Sequence, residues 1–146
     1  MPEKETLERA KQDKKEGKSA STQAGEFVRE EIEHVREGKH GARSAKQVIA
    51  IGLSKARRAG VKLPPPKNAS EEVQEQAARD TKKAKSSEKR KVSAKRSRAS
   101  LRKLKGEGHR AASELALSRH ARSAAAKRSA ASRSRSARKA AATRKK

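Results

Sequence analysis

Ser44-Ala45-Lys46-Gln47-Val48-Ile49-Ala50-Ile51-Gly52-Leu53-Ser54-Lys55-Ala56-Arg57-Arg58-Ala59-Gly60 is the stretch on which the fold turns. Ser44 and Gln47 have the spacing of a capping box, in which the serine hydroxyl and the glutamine side chain each satisfy a free backbone N–H. Ala45, Val48, Ile49, Gly52, Leu53 and Ala56 then fall at i, i+3, i+4, i+7, i+8 and i+11, and Ile51 widens that stripe. A helix over 45–59 with one buried face follows from this period. Gly60 suits the left-handed residue that stops a helix, and Val61 is placed to fold back on the last turn. Gly52 lies on the stripe, where it allows close helix approach at a propensity cost of up to ~1 kcal/mol.

Upstream, Val28, Ile32 and Val35 stand at i, i+4 and i+7, flanked by Phe27, and predict a helix over Thr22–Glu37. Ser21 or Thr22 suits its N-cap and Gly38 its stop. Glu30, Glu31 and Glu33 are expected on the wet side. The six residues Gly38-Lys39-His40-Gly41-Ala42-Arg43 suit the connection of an antiparallel hairpin over 22–61. Glycines with Lys39, His40 and Arg43 before a helix N-terminus have the makings of a phosphate cradle. The G-x-x-G shape also resembles the backbone clamp of the KH domain, without its strands. The plainer reading is a flexible loop that needs glycine for positive φ. Such a hairpin is marginal alone, so self-association or packing of the polar segment 1–21 through Leu7 and Ala10 is expected to support it.

Downstream, Leu63-Pro64-Pro65-Pro66 reads as a proline-rich hinge over 62–67. Asn68-Ala69-Ser70-Glu71 offers a second capping box for a polar helix over 68–91. Its Glu71, Glu72 and Glu75 come early and its lysines late, as a helix dipole favours. Residues 92–146 are mostly Ala, Ser, Lys and Arg, with Leu101 and Leu104, then Leu115 and Leu117, as the few bulky apolar groups.

Charge divides the same way. The 146 residues hold 41 basic and 17 acidic side chains, a net charge of +24. Residues 1–66 carry net +5 and residues 67–146 net +19; no acid follows Glu114, whereas 11 basic residues do. Val, Ile, Leu and Phe number 17, roughly 12% of the chain, below the ~20% at which a highly charged chain is expected to stay open. The expected fold is therefore mostly α: a small N-terminal helical hairpin followed by a helix-permissive, largely disordered basic arm.

These features exclude much. One aromatic ring does not wall a water-excluding pocket, so no enzyme and no cofactor are expected. With no cysteine, there is no disulfide frame and no thiolate metal site. His34, His40, His109 and His120 form no i, i+4 pair and are read as surface residues, with no metal site expected. No apolar run reaches membrane-span length, and the first thirty residues lack the apolar middle of a secretory signal. A cytoplasmic, nucleoid-located protein without membrane contact is the expectation.

Closely spaced Arg and Lys among Ala and Ser supply phosphate ligands at low helix-entropy cost. The candidate nucleic-acid contacts are Lys39 and Arg43 in the loop, then Lys89, Arg90, Lys91, Lys95, Arg96, Arg98, Arg102, Lys103, Arg119, Arg122, Lys127, Arg128, Arg133, Arg135, Arg138, Lys139, Arg144, Lys145 and Lys146. Backbone contacts of this kind position a protein without reading bases. The absence of Tyr and Trp removes the stacking platform common in single-strand readers and favours duplex DNA over RNA. The leading expectation is sequence-nonspecific, DNA-compacting binding. The alternatives are an RNA-binding, ribosome-associated assembly protein and a protein-interaction adaptor with a basic targeting tail.

Two stretches resemble known groups. Gly38–Gly41 together with Lys46–Gly60 is similar to the core helix of small, basic bacterial proteins of uncharacterised function. That resemblance implies a bacterial origin and no catalytic residues. The tail from about Lys82 to Lys146 resembles the Lys- and Ala-rich tails of linker histones and bacterial histone-like proteins, which implies a DNA-binding role.

Overall fold

A computed structural model describes residues 2–86 and 93–144. Seven α-helices and no strand occur among them: α1 (Lys4–Lys15), α2 (Ala20–Arg36), α3 (Ala45–Arg58), α4 (Glu71–Lys85), α5 (Ala94–Lys105), α6 (Glu114–Ala126) and α7 (Ala130–Arg144). A single 3-10 turn, Arg110–Ala112, precedes α6.

The hairpin of α2 and α3 is the centre of the fold. Its caps follow the sequence closely at α3. Ser44 Oγ accepts from the Gln47 N–H at 3.3 Å, while Gln47 Oε1 reaches back to the Arg43 N–H at 3.0 Å. Gly60 (φ +94°) and Gly38 (φ +75°) take the left-handed conformation that ends a helix. The α2 cap is Ser19, not Ser21 or Thr22, and the helix begins at Ala20. Gly52 is the point of closest approach. A Cβ there would sit 2.6 Å from Val28 Cα, so only glycine lets the two helices cross at this depth.

Support for the hairpin comes from the rest of the same chain. From one side, α1 packs Ala10 and Leu7 against Ala24, Phe27 and Ala56, joined by Leu53, Val61 and Leu63. From another, α4 returns along α3. Its Asp80, fully buried, accepts from Ser54 Oγ (2.6 Å), Arg58 Nε (2.7 Å) and Gln76 Nε2 (3.1 Å). The proline run between α3 and α4 is tied down where Arg57 Nε donates to the Leu63 carbonyl at 3.0 Å. The second capping box does not form: α4 starts at Glu71 behind Ser70, whose side chain makes no cap bond.

The expectation of a largely disordered arm is overturned. Its described residues are helical in α5, α6 and α7, and the stretch between α5 and α6 is part of the core. Ala111 and Ala112 are buried with Val35, Ala42 and Val48. Arg36 Nε donates to the Ala112 carbonyl at 2.9 Å. Leu117 of α6 lines one shallow groove with Val28, Ile32 and Leu53. The physical reason is that the core is built of small residues. Among the described residues, eight of the eleven buried apolar ones are alanine, so a count of Val, Ile, Leu and Phe misses most of the packing. Ser93 and Ser113 cap α5 and α6 through their side chains, and alanine then carries each helix at little entropic cost.

Candidate functional site

Two arrangements bear chemistry, one on the surface and one buried. The surface one is the cationic set. On α5, Lys95, Arg96, Arg98, Arg102 and Lys103 are all exposed. At ~100° per residue they and Lys105 share one half of the helix, with Ser97, Leu101 and Leu104 opposite. Arg119 and Arg122 are exposed one turn apart on α6, and Lys127 and Arg128 lie exposed in the short link to α7. Arg128 is already ordered, with Nε and Nη2 on Ser132 and Nη2 also on Ser136.

On α7, Arg133, Arg135, Arg138, Lys139 and Arg144 are exposed and spread round the helix, so that α7 is polar on all sides. Lys89, Arg90, Lys91, Lys145 and Lys146 lie outside the described residues. Exposed Lys105 and Arg110 extend the set beyond the residues singled out in the sequence.

The ion pairs among the described residues draw their cations from Arg9 to Arg79. The described cations beyond Arg79 all stand exposed to solvent, and Lys139 has a partner of its own.

The loop residues stand apart from that set. Lys39 pairs with Glu3 at 3.1 Å and Glu37 at 3.0 Å. Arg43 is exposed and 3.8 Å from Glu107. The loop backbone is not open as a phosphate cradle needs. The Gly41 N–H donates to the Leu104 carbonyl (2.9 Å) and the Ala42 N–H to the Gly108 carbonyl (3.1 Å). Glycine is required at 41 for closeness rather than for positive φ, since a Cβ there would run into the Glu107 carbonyl.

The buried arrangement went unread in the sequence. Glu30 and Glu31 are 2% and 1% exposed, not on the wet face. Phe27, Glu30, Glu31 and His34 stand at i, i+3, i+4 and i+7, so the carboxylates share the face of the buried aromatic ring. That spacing was the available signal. Lys55 of α3 enters between them, 3.0 Å from Glu30 and in direct contact with Glu31. Burial raises the Glu30 carboxyl, but hydrogen bonds from Lys55, the Glu3 N–H and Thr6 outweigh it and hold the group below its ordinary range. Burial likewise opposes the Lys55 charge, and the two glutamates more than restore it, raising its pKa.

His34 and His40 are 13% and 12% exposed rather than on the surface. Their rings meet edge to face at 6.1 Å. His34 Nδ1 is 3.5 Å from Glu31 Oε1, and His40 Nε2 is 3.3 Å from Glu31 Oε2. The far nitrogens are held as well, His34 Nε2 by Glu3 Oε1 (2.9 Å) and His40 Nδ1 by the Gly41 carbonyl (3.1 Å). Hydrogen bonds from His34 and Lys39 depress the Glu3 carboxyl.

Among the described residues, no helix is long and apolar enough to cross a membrane. Residues 4–68 match the model of a family of unknown function (DUF6496). That match takes in α1, α2, α3 and the proline run, and stops short of α4 to α7. No curated protein and no solved structure matches the chain.

Proposed function

We propose that this chain binds duplex nucleic acid without reading its sequence, DNA in preference to RNA, as a histone-like, nucleoid-associated compacting protein. The observation that carries the reading is the run after Glu114, where eleven basic residues follow without one acid and the described ones stand exposed on and between two helices. Cations packed at this density repel one another in free solution. A polyanion removes that repulsion, and release of its condensed counterions drives association. The half-cylinder of cations on α5 suits a groove edge or a phosphate row, and the all-round cations of α7 suit a helix lying between two such rows. Helical order in the arm lowers the conformational entropy lost on binding. The lack of aromatic stacking groups favours a duplex over a single strand.

Mobility shifts on unrelated duplexes at rising salt test this. Six to ten phosphate contacts give a log–log salt slope of about −5 to −9 with little difference between sequences. Binding that persists unchanged at high salt, or that one sequence alone supports, rejects the proposal. Competition by structured RNA that outmatches duplex DNA at equal phosphate moves the activity to RNA.

A further inference from the structure

We propose that Glu31, His34 and His40 form a binding site for one divalent transition-metal ion, zinc foremost, which staples the end of α2 to the loop that follows it. The donor set is a carboxylate and two imidazoles, a combination that suits zinc and its neighbours rather than calcium or magnesium. The candidate donor atoms all lie within 4.8 Å of one another. The 3.3 Å from His40 Nε2 to Glu31 Oε2 matches the ~3.3 Å edge of a tetrahedron with metal–ligand bonds of about 2.0 Å, and His34 Nδ1 stands 3.5 Å from the other oxygen of the same carboxylate.

The outer contacts point independently to a ligand. A carboxylate and a backbone carbonyl only accept hydrogen bonds, so Glu3 takes the proton of His34 Nε2 and the Gly41 carbonyl takes that of His40 Nδ1. Each ring then turns a bare nitrogen toward the same carboxylate. Lone pair would face lone pair twice over in a largely buried place. One divalent cation satisfies both nitrogens and the carboxylate together. The outer carboxylate–imidazole and carbonyl–imidazole bonds are the contacts that orient histidine ligands at metal centres.

Charge agrees. Glu3, Glu30, Glu31 and Glu37 surround the site, against the ammonium groups of Lys39 and Lys55, a deficit of two. On metal entry Lys55 keeps its bond to Glu30, and Glu31 turns its charge toward the ion. The fourth position is left to water.

The test uses the untagged full chain, stripped of metal and nucleic acid at high salt. Zinc titration by calorimetry should show one ion per chain, and zinc should raise the melting temperature. Cobalt in place of zinc should give the intense visible absorption of a four-coordinate ion. H34A and H40A should each weaken zinc at least 10-fold, and E3Q, on an exposed side chain, by about 10-fold through loss of the outer acceptor. H109A/H120A should leave it unchanged. Absence of zinc uptake overturns the proposal, as does uptake that survives H34A/H40A. A wild-type melting temperature insensitive to zinc overturns it even where the double variant fails to fold.

Discussion

Gly41 and Gly52 both belong to the hairpin, one in its loop and one within α3, yet they act on different contacts. At Gly52 an added methyl meets the Val28 backbone across the helix crossing. G52A should cost about 1–3 kcal/mol from overpacking, offset by up to ~1 kcal/mol of helix propensity. At Gly41 the methyl meets the Glu107 carbonyl, so G41A should cost a similar ~1–3 kcal/mol, with no propensity offset, and should loosen the 104–112 segment in particular. Urea titration measures the first effect. Hydrogen exchange at the 104–112 amides separates the second from a global loss. The role of Gly52 follows from its place on the apolar stripe. That of Gly41 was hidden because its partner lies more than sixty residues away, and no local period reports such a contact.

Asp80 shows how a buried charge sets acid stability. Burial favours its neutral form, but Ser54, Arg58 and Gln76 bind the carboxylate and together depress its pKa. Glu30 is depressed too, against its own burial. A depressed carboxyl stabilises the fold fully above its unfolded value, near 4, and that contribution is lost as pH falls through the folded value beneath it. Melting temperature should therefore hold above about pH 5 and drop steeply below about pH 4. D80N should lower it at neutral pH and flatten the acid limb. An acid limb of equal steepness in D80N would show that Asp80 does not contribute to it.

At the scale of elements, α3 was legible almost to the residue because cap, stripe and glycine stop agree. The partner helix α2 was legible as a helix but not as a surface. The carboxylates at 30 and 31 suggested water, whereas their register with Phe27 turns them inward to Lys55. The packing of segment 104–117 against the hairpin was not legible, because alanine is neutral in any count of bulky groups and yet fits where backbones approach closely. Ala112 is fully buried, and its carbonyl accepts from Arg36. A112L should accordingly destabilise by about 1–3 kcal/mol through overpacking and expose the chain between α5 and α6 to limited proteolysis. The same change at the exposed Ala121 should have little effect on either reading.

Across the whole molecule, charge and packing divide at different places. Net charge rises after the proline run, but packing against the hairpin continues as far as Leu117. Removal of everything after residue 92 would thus strip the cover from the 38–43 loop as well as the cations, and a loss of binding would have two explanations. A cut after Ala126 separates them. It keeps the bonds of Gly41 and Ala42 to residues 104 and 108 and the buried Ala111 and Ala112. It removes α7, which has no buried side chain among those described. The shortened chain should melt near the full-length value while its salt slope on duplex DNA becomes markedly shallower. R133Q/R135Q/R138Q in the full chain should make the slope shallower by up to about 3, one counterion per lost phosphate contact. K39Q/R43Q should change it little, since Lys39 is engaged by Glu3 and Glu37 and Arg43 lies beside Glu107. Fluorescence anisotropy on one labelled duplex over a series of salt concentrations reads all three. A slope untouched by the cut or by the α7 substitutions would place the phosphate contacts elsewhere on the surface, with the cations of α5 and α6 the next to be neutralised.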